Sequence, residues 1–147
     1  MEIDKNLIKE LRAITGFGIL DCKNALESTG SDLERSVENL RKKGAKVVQN
    51  RSHKKAAEGI VHAYIDPLKG IGVLVEINCE TDFVASTEDV KNFAVSLARH
   101  VSSLEEMHGV FSKINPEDIG YKEELDALII KTRENILINK IACFRST

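Results

Sequence analysis

Glu76-Ile77-Asn78-Cys79-Glu80-Thr81-Asp82-Phe83-Val84-Ala85 changes character halfway along its length. Ile77 and Cys79 alternate with polar Glu76, Asn78 and Glu80, which is the period of a half-buried strand. Thr81-Asp82-Phe83-Val84 then sets an acid beside an aromatic ring where that strand must end. A turn leaving a rigid strand is well placed to present side chains to a partner. Phe83 therefore has two readings. It is either a displayed wedge with a charged neighbour, or a plug at the edge of the core with Asp82 helping to start the next helix.

Upstream, Val73 and Val75 extend the apolar face of the same strand. Ile60 to Ile65 alternates again, and Asp66-Pro67-Leu68-Lys69-Gly70 between the two runs has turn chemistry, so the pair reads as a hairpin. Downstream, Ser86 or Thr87 caps a helix striped by Val90, Phe93, Ala94, Leu97 and Val101. Asn115-Pro116-Glu117 opens a turn, and Leu125, Leu128 and Ile129 stripe a further helix. Ile136 to Phe144 returns to β-forming residues and predicts a third strand, with Ile138, Ala142 and Phe144 as unpaired apolar surface. The second part of the chain is thus α+β, a small antiparallel sheet with helices on one face.

The first part is helical throughout. Ile3, Leu7, Leu11 and Ile14 share one face of a helix capped by Asp4, and Thr15-Gly16-Phe17-Gly18 breaks it. Ile19, Cys22, Ala25 and Leu26 stripe a second helix that stops near Gly30. Ser31-Asp32-Leu33-Glu34 reads as a capping box for a third, striped by Leu33, Val37 and Leu40 and stopped at Gly44. The expected organisation is a three-helix docking bundle over residues 1–45, a basic linker over 46–58 and an α+β core over 59–147.

Composition narrows the function classes. The formal net charge is −2, which gives no general attraction to nucleic acid. Arg41, Lys42, Lys43, Lys46, Arg51, Lys54 and Lys55 lie together without an intervening acid, but no aromatic residue accompanies them to stack on bases. A solvated helix end and linker, or a surface for an acidic protein, are the readings that remain. No run approaches the roughly 18 apolar residues of a membrane span. The polar start Met1-Glu2-Ile3-Asp4-Lys5-Asn6 is unlike a secretory signal. Cys22, Cys79 and Cys143 are odd in number and scattered, which fits a reducing compartment such as the cytoplasm. Cys79 with His62 or His100 has the composition of a nucleophile–base pair, yet Cys79 falls on the apolar strand face, where an inert core thiol is the expectation. The four histidines show no metal-ligand spacing with the cysteines, and no GxxxxGK loop is present.

Three blocks, in order, resemble bacterial translation elongation factor Ts. Leu11-Arg12-Ala13-Ile14-Thr15-Gly16-Phe17-Gly18 with Asp21-Cys22-Lys23-Asn24-Ala25-Leu26 is similar to the N-terminal signature of that family. Val75 to Ala85 is similar to its second signature almost residue for residue. Glu134-Asn135-Ile136 is similar to its Gly-Glu-Asn-Ile, with Arg133 in place of the glycine. The resemblance runs from about Leu7 to Phe144.

The resemblance implies a fold, a partner and an activity. The N-terminal part would be a ubiquitin-associated-like bundle that docks on the G domain of elongation factor Tu. Leu11 and Arg12 lie in its signature, and Ile19 and Leu20 would be apolar contacts. Thr81, Asp82, Phe83 and Val84 would enter the G domain beside its bound magnesium, Phe83 as the wedge and Asp82 acting on polar groups near the metal. The activity implied is guanine nucleotide exchange by allosteric coupling, with no bond chemistry, cofactor, bound metal, nucleic acid or membrane. Relatives of the long kind continue past the Glu-Asn-Ile strand, so the chain reads as a short form or a C-terminally truncated one. Short members compensate by forming a homodimer, here through the core sheet. Ubiquitin-associated domains also carry a ubiquitin-binding loop where Thr15-Gly16-Phe17-Gly18 lies, but ubiquitin binding would leave the second part unexplained. Phe17 otherwise closes the small core.

Overall fold

Asp4 opens the first helix as its position foretells: its carboxylate accepts the Asn6 N–H at 2.8 Å, satisfying a free amide at the helix start. The computed structural model describes residues 2–146. Helix α1 (Lys5–Thr15) ends at Gly16, whose φ of 76° lets its N–H close onto the Arg12 carbonyl. Helices α2 (Ile19–Thr29) and α3 (Leu33–Arg51) complete a bundle around Ile3, Leu11, Phe17, Cys22, Leu26 and Leu40. Thr29 and Ser36 bond to each other at 2.7 Å where α2 meets α3, so these buried hydroxyls are satisfied.

Three expectations for the bundle are corrected. Ser31 does not cap α3. It sits at φ 66° in the exit from α2, its N–H closing on the Leu26 carbonyl, so Asp32 takes the cap and accepts from the Arg35 N–H at 3.1 Å. Gly44 does not stop α3, which runs on to Arg51 and takes up the first part of the expected linker. A Cβ at residue 44 would stand 2.7 Å from the Ile130 Cδ1, so the glycine serves the close approach of another helix. Ile14 and Ile19 belong to no buried stripe; both are exposed.

The second part is an antiparallel sheet of strands β1 (Glu58–Asp66), β2 (Ile71–Cys79), β3 (Gly109–Ser112) and β4 (Leu137–Arg145), in the order β1-β2-β4-β3. A one-turn helix α4 (Asp82–Ala85) follows β2, then α5 (Glu88–Ser102), with α6 (Lys122–Thr132) ahead of β4. Thr87 caps α5 through the Val90 N–H. Val73, Val75, Ile77 and Cys79 face Val90, Phe93, Ala94, Leu97 and Val101 in the larger core. Each large side chain fully buried there contributes about 1.5–3 kcal/mol over its exposed state. The Arg145 guanidinium donates to the carbonyls of Val101, Ser102, Leu104 and Met107, covering groups that α5 and its exit leave open.

The expected last strand is present, but it is not an edge. The short strand β3, unforeseen because four residues carry too little period to recognise, pairs along its outer side. Ile138 is buried rather than part of an open surface. The pairing with β2 shifts between Glu76↔Lys140 and Ile77↔Ile138, leaving Asn139 as an extra residue. Such a bulge reverses the inside–outside alternation, so Ile138 turns inward while Phe144 stays outside. Among the described residues, no helix is long and apolar enough to cross a membrane.

Candidate functional site

The end of β2 is built to hold a short segment out from the fold. Cys79 is the last core residue of the strand. Thr81 then caps α4, its Oγ1 accepting the Val84 N–H at 3.3 Å. One helical turn places Ala85 in the core, Val84 half-buried, and Asp82 and Phe83 outside. Phe83 is 81% exposed, which decides between the two readings of this residue: it plugs no core. Asp82 forms the first turn of α4 but does not cap it.

The tip is held from beneath. The Glu134 carboxylate accepts the N–H groups of Glu80 and Thr81 at 3.1 and 3.0 Å through one oxygen. Its other oxygen accepts the Thr81 hydroxyl at 2.7 Å. Glu80 in turn takes the Asn135 N–H at 2.5 Å and the Nε and Nη2 of Arg51, which comes from the end of α3. The Asn135 amide donates to the Lys54 carbonyl at 2.8 Å, pinning the segment after α3. The bonds to the Glu134 and Glu80 carboxylates are charge-assisted, a kind about twice as strong as neutral ones. Burial alone would raise the Glu80 carboxyl. The hydrogen bonds from Arg51 and Asn135, with the charges of Arg51 and Lys54, outweigh that and hold it below the usual carboxylate range.

These four supporting residues, Arg51, Glu80, Glu134 and Asn135, were not assigned roles from the sequence. Glu80 and Glu134-Asn135 stand in two of the recognised blocks, but nothing in their spacing says that one acid grips the other's strand end. Arg51, in the basic stretch whose sequence suggests a solvated helix end and linker or a surface for an acidic protein, is instead engaged by Glu80 of the same chain.

Cys79 lies beside this network with its thiol donating to the Thr81 carbonyl at 3.2 Å. Burial, and then the nearby Glu134 charge, push the thiol up, so the nucleophilic thiolate is disfavoured. Cys22 and Cys143 are also free and buried.

The bundle offers a second surface. An open groove of about 720 Å³ runs along α1 and α2, lined by the apolar Ile3, Ile8 and Ile19 and by Lys5, Lys9, Arg12 and Lys23 with one acid, Glu2. Ile19 is 59% exposed and Leu20 69%, so both are displayed. Leu11 is fully buried in the bundle core, so its place in the expected docking set is corrected to a core role. The tip and the groove stand on separate elements, joined through α3, α6 and the turn after α6.

Fold and surfaces together define an α+β protein with two hydrophobic cores: a helical bundle with an apolar groove lined mostly by basic residues, packed against a sheet region that displays one aromatic tip. No protein-family model matches the chain. Individual proteins do. It is 43% identical over 141 residues to elongation factor Ts of Thermotoga petrophila, covering 96% of this chain and 71% of that one. It is 46% identical over 119 residues to elongation factor Ts of Syntrophus aciditrophicus (81% and 57%), and 41% over 150 residues to that of Synechococcus sp. strain JA-3-3Ab (96% and 53%). The chain belongs to the elongation factor Ts family and is a translation elongation factor.

Proposed function

We propose that this chain is a guanine nucleotide exchange factor for elongation factor Tu, acting in the cytoplasm by coupling and not by bond chemistry. The observation that carries the reading is Phe83: a phenylalanine 81% exposed on a turn clamped by three hydrogen bonds to Glu134. With the backbone beneath it already fixed, the ring can insert into a partner at little further cost in backbone freedom. Thr81, Asp82, Phe83 and Val84 form the inserted segment. Phe83 wedges the G domain of Tu, and Asp82 brings a negative charge toward the magnesium that Tu holds. Magnesium demands near-ideal octahedral geometry, so small displacements of its ligands weaken nucleotide binding. By linkage, the affinity that GDP loses when this chain binds equals the affinity the chain loses when GDP binds. Each ~1.4 kcal/mol of that coupling is tenfold in affinity. Arg12, Ile19 and Leu20 dock the bundle, the mostly basic lining of the groove favouring an acidic surface on the partner.

Stopped-flow release of fluorescent GDP from Tu tests the reading. The expected result is acceleration that saturates with concentration of the chain. Unchanged release with binding intact would overturn it.

A homodimer through the outer sheet face is a second element of the reading, supported by what that face displays. Ala63, Leu74, Ala142 and Val110 form one row across all strands, and Ile65, Gly72 and Phe144 the next. Ile65, Leu74, Val110 and Phe144 are exposed, an apolar band wider than a solvated face usually carries. Sedimentation equilibrium should give twice the chain mass, reverting to one chain in Leu74→Lys; a monomer at every concentration removes the dimer.

A further inference from the structure

Arg133 ends α6 with a backbone that glycine would adopt more easily. Its φ is 59°, in the left-handed region where a side chain costs about 1 kcal/mol per residue or more. Its side chain supplies the compensation by leaving the sheet domain altogether. The guanidinium reaches α2, where Nη2 stands 3.3 Å from the Asp21 carboxylate, and it lies over the Phe17 ring at 5.5 Å. Lys43 approaches the same two groups, 2.5 Å from Asp21 and 5.9 Å from the ring centre. One turn earlier on α6, Ile130 packs into the bundle core against Phe17 and the bare backbone of Gly44. One residue later, Glu134 clamps the Phe83 tip. The corner from Ile130 to Asn135 therefore grips the bundle with its first half and the tip with its second.

From this arrangement we infer that Arg133 is a latch that fixes the bundle groove at a set angle to the Phe83 tip, so that one partner meets both surfaces at once. Arg133 is a positioning residue and touches no partner. Its contribution is preorganisation: with the two surfaces held in register, engagement of the second becomes intramolecular and loses no freedom. The planar fork suits this better than lysine, because it bonds a carboxylate and stacks on a ring at the same time.

The functional half of this inference rests on the exchange reading; the geometric half does not. Residual dipolar couplings on the full chain test the geometry without any partner. In the unaltered chain, bundle and sheet domain should fit a single alignment tensor. In Arg133→Gly, which relaxes the backbone and removes the latch but leaves Ile130 and the Arg51–Glu80 and Asn135–Lys54 bonds in place, the bundle should show a lower degree of alignment order than the sheet part while the melting temperature holds or rises. Exchange assays on the same variant should then show a half-saturating concentration raised about threefold to tenfold with the maximal rate unchanged, the range an ion pair and a cation–π contact supply. Arg133→Lys should fall between. Equal order for the two parts in Arg133→Gly, or unequal order in the unaltered chain, would overturn the latch. If the unaltered chain does not accelerate GDP release from Tu, the exchange reading falls and the couplings still decide the latch.

Discussion

Phe17 and Phe83 each follow the end of a regular element, and the chain uses them in opposite ways. Phe17 lies in the break between α1 and α2 and is 2% exposed, enclosed by bundle side chains, Ile130 and two cations over its ring. Phe83 lies in the break after β2 and is displayed. The ring is the same; the surroundings differ in what they can close over it. Around Phe17, Gly16 at φ 76° lets the backbone turn sharply enough to tuck the ring into the bundle core. Around Phe83, a one-turn helix anchored in the core by Ala85 turns the ring two positions earlier outward. The larger effect expected of the pair is on Phe17. Phe17→Ala should lower unfolding stability by about 3–5 kcal/mol, as truncation of a buried ring does. Urea unfolding followed by circular dichroism reads it, and a loss under about 1 kcal/mol would mean that the small bundle does not depend on this ring.

Phe83→Ala inverts the pattern. Stability should stay within about 0.5 kcal/mol, since an exposed side chain makes few contacts. GDP release from Tu should slow tenfold or more, equivalent to ~1.4 kcal/mol of lost coupling. Should both phenylalanines cost the same stability, the contrast between enclosure and display breaks, and Phe83 becomes a core residue after all.

The same contrast marks what could be read before the fold was known. Elements with long periods were legible: the α5 stripe and the buried face of β2 stand where the pattern puts them. The family was legible because Val75 to Ala85 is long and specific. What failed was set by partners distant in the chain. Gly44 looks like a helix stop until Ile130 approaches it, 86 positions on in the numbering. Ile138 looks outward until the bulge at Asn139 reverses the alternation. Arg51 looks solvated until Glu80 arrives opposite. Leu11 looks like a docking residue because its block is recognisable, yet recognisability does not separate a residue that touches a partner from one that supports its neighbours.

Display also needs a support that enclosure does not, and Glu134 is where that can be measured. In Glu134→Gln the amide keeps one acceptor oxygen for the Glu80 and Thr81 N–H groups but loses the charge that strengthens all three bonds. The expected cost is about 1–2 kcal/mol of stability, below the sum of the bonds because the geometry is partly kept. Exchange should slow by less than in Phe83→Ala, since the ring remains and only its hold is loosened. Exchange unchanged beside a real loss of stability would show that the tip works without its clamp.

The smallest effect expected is a dependence on pH at the same support. Glu80 has its carboxyl held below the usual range by Arg51 and the Asn135 N–H, against the opposing pull of burial. The unfolded chain therefore binds a proton at Glu80 at a pH where the folded chain does not. Stability from this group is complete above the unfolded carboxyl value, about 4.3, and is lost as pH falls through the folded value. Unfolding midpoints measured in urea across that acid range should fall more steeply for the unaltered chain than for Glu80→Gln, whose residue 80 no longer titrates. Other carboxylates contribute to the fall in both, so only the difference between the two curves belongs to Glu80. Parallel curves would mean that the Arg51–Glu80–Asn135 network is already open in solution, leaving the displayed tip held by Glu134 alone.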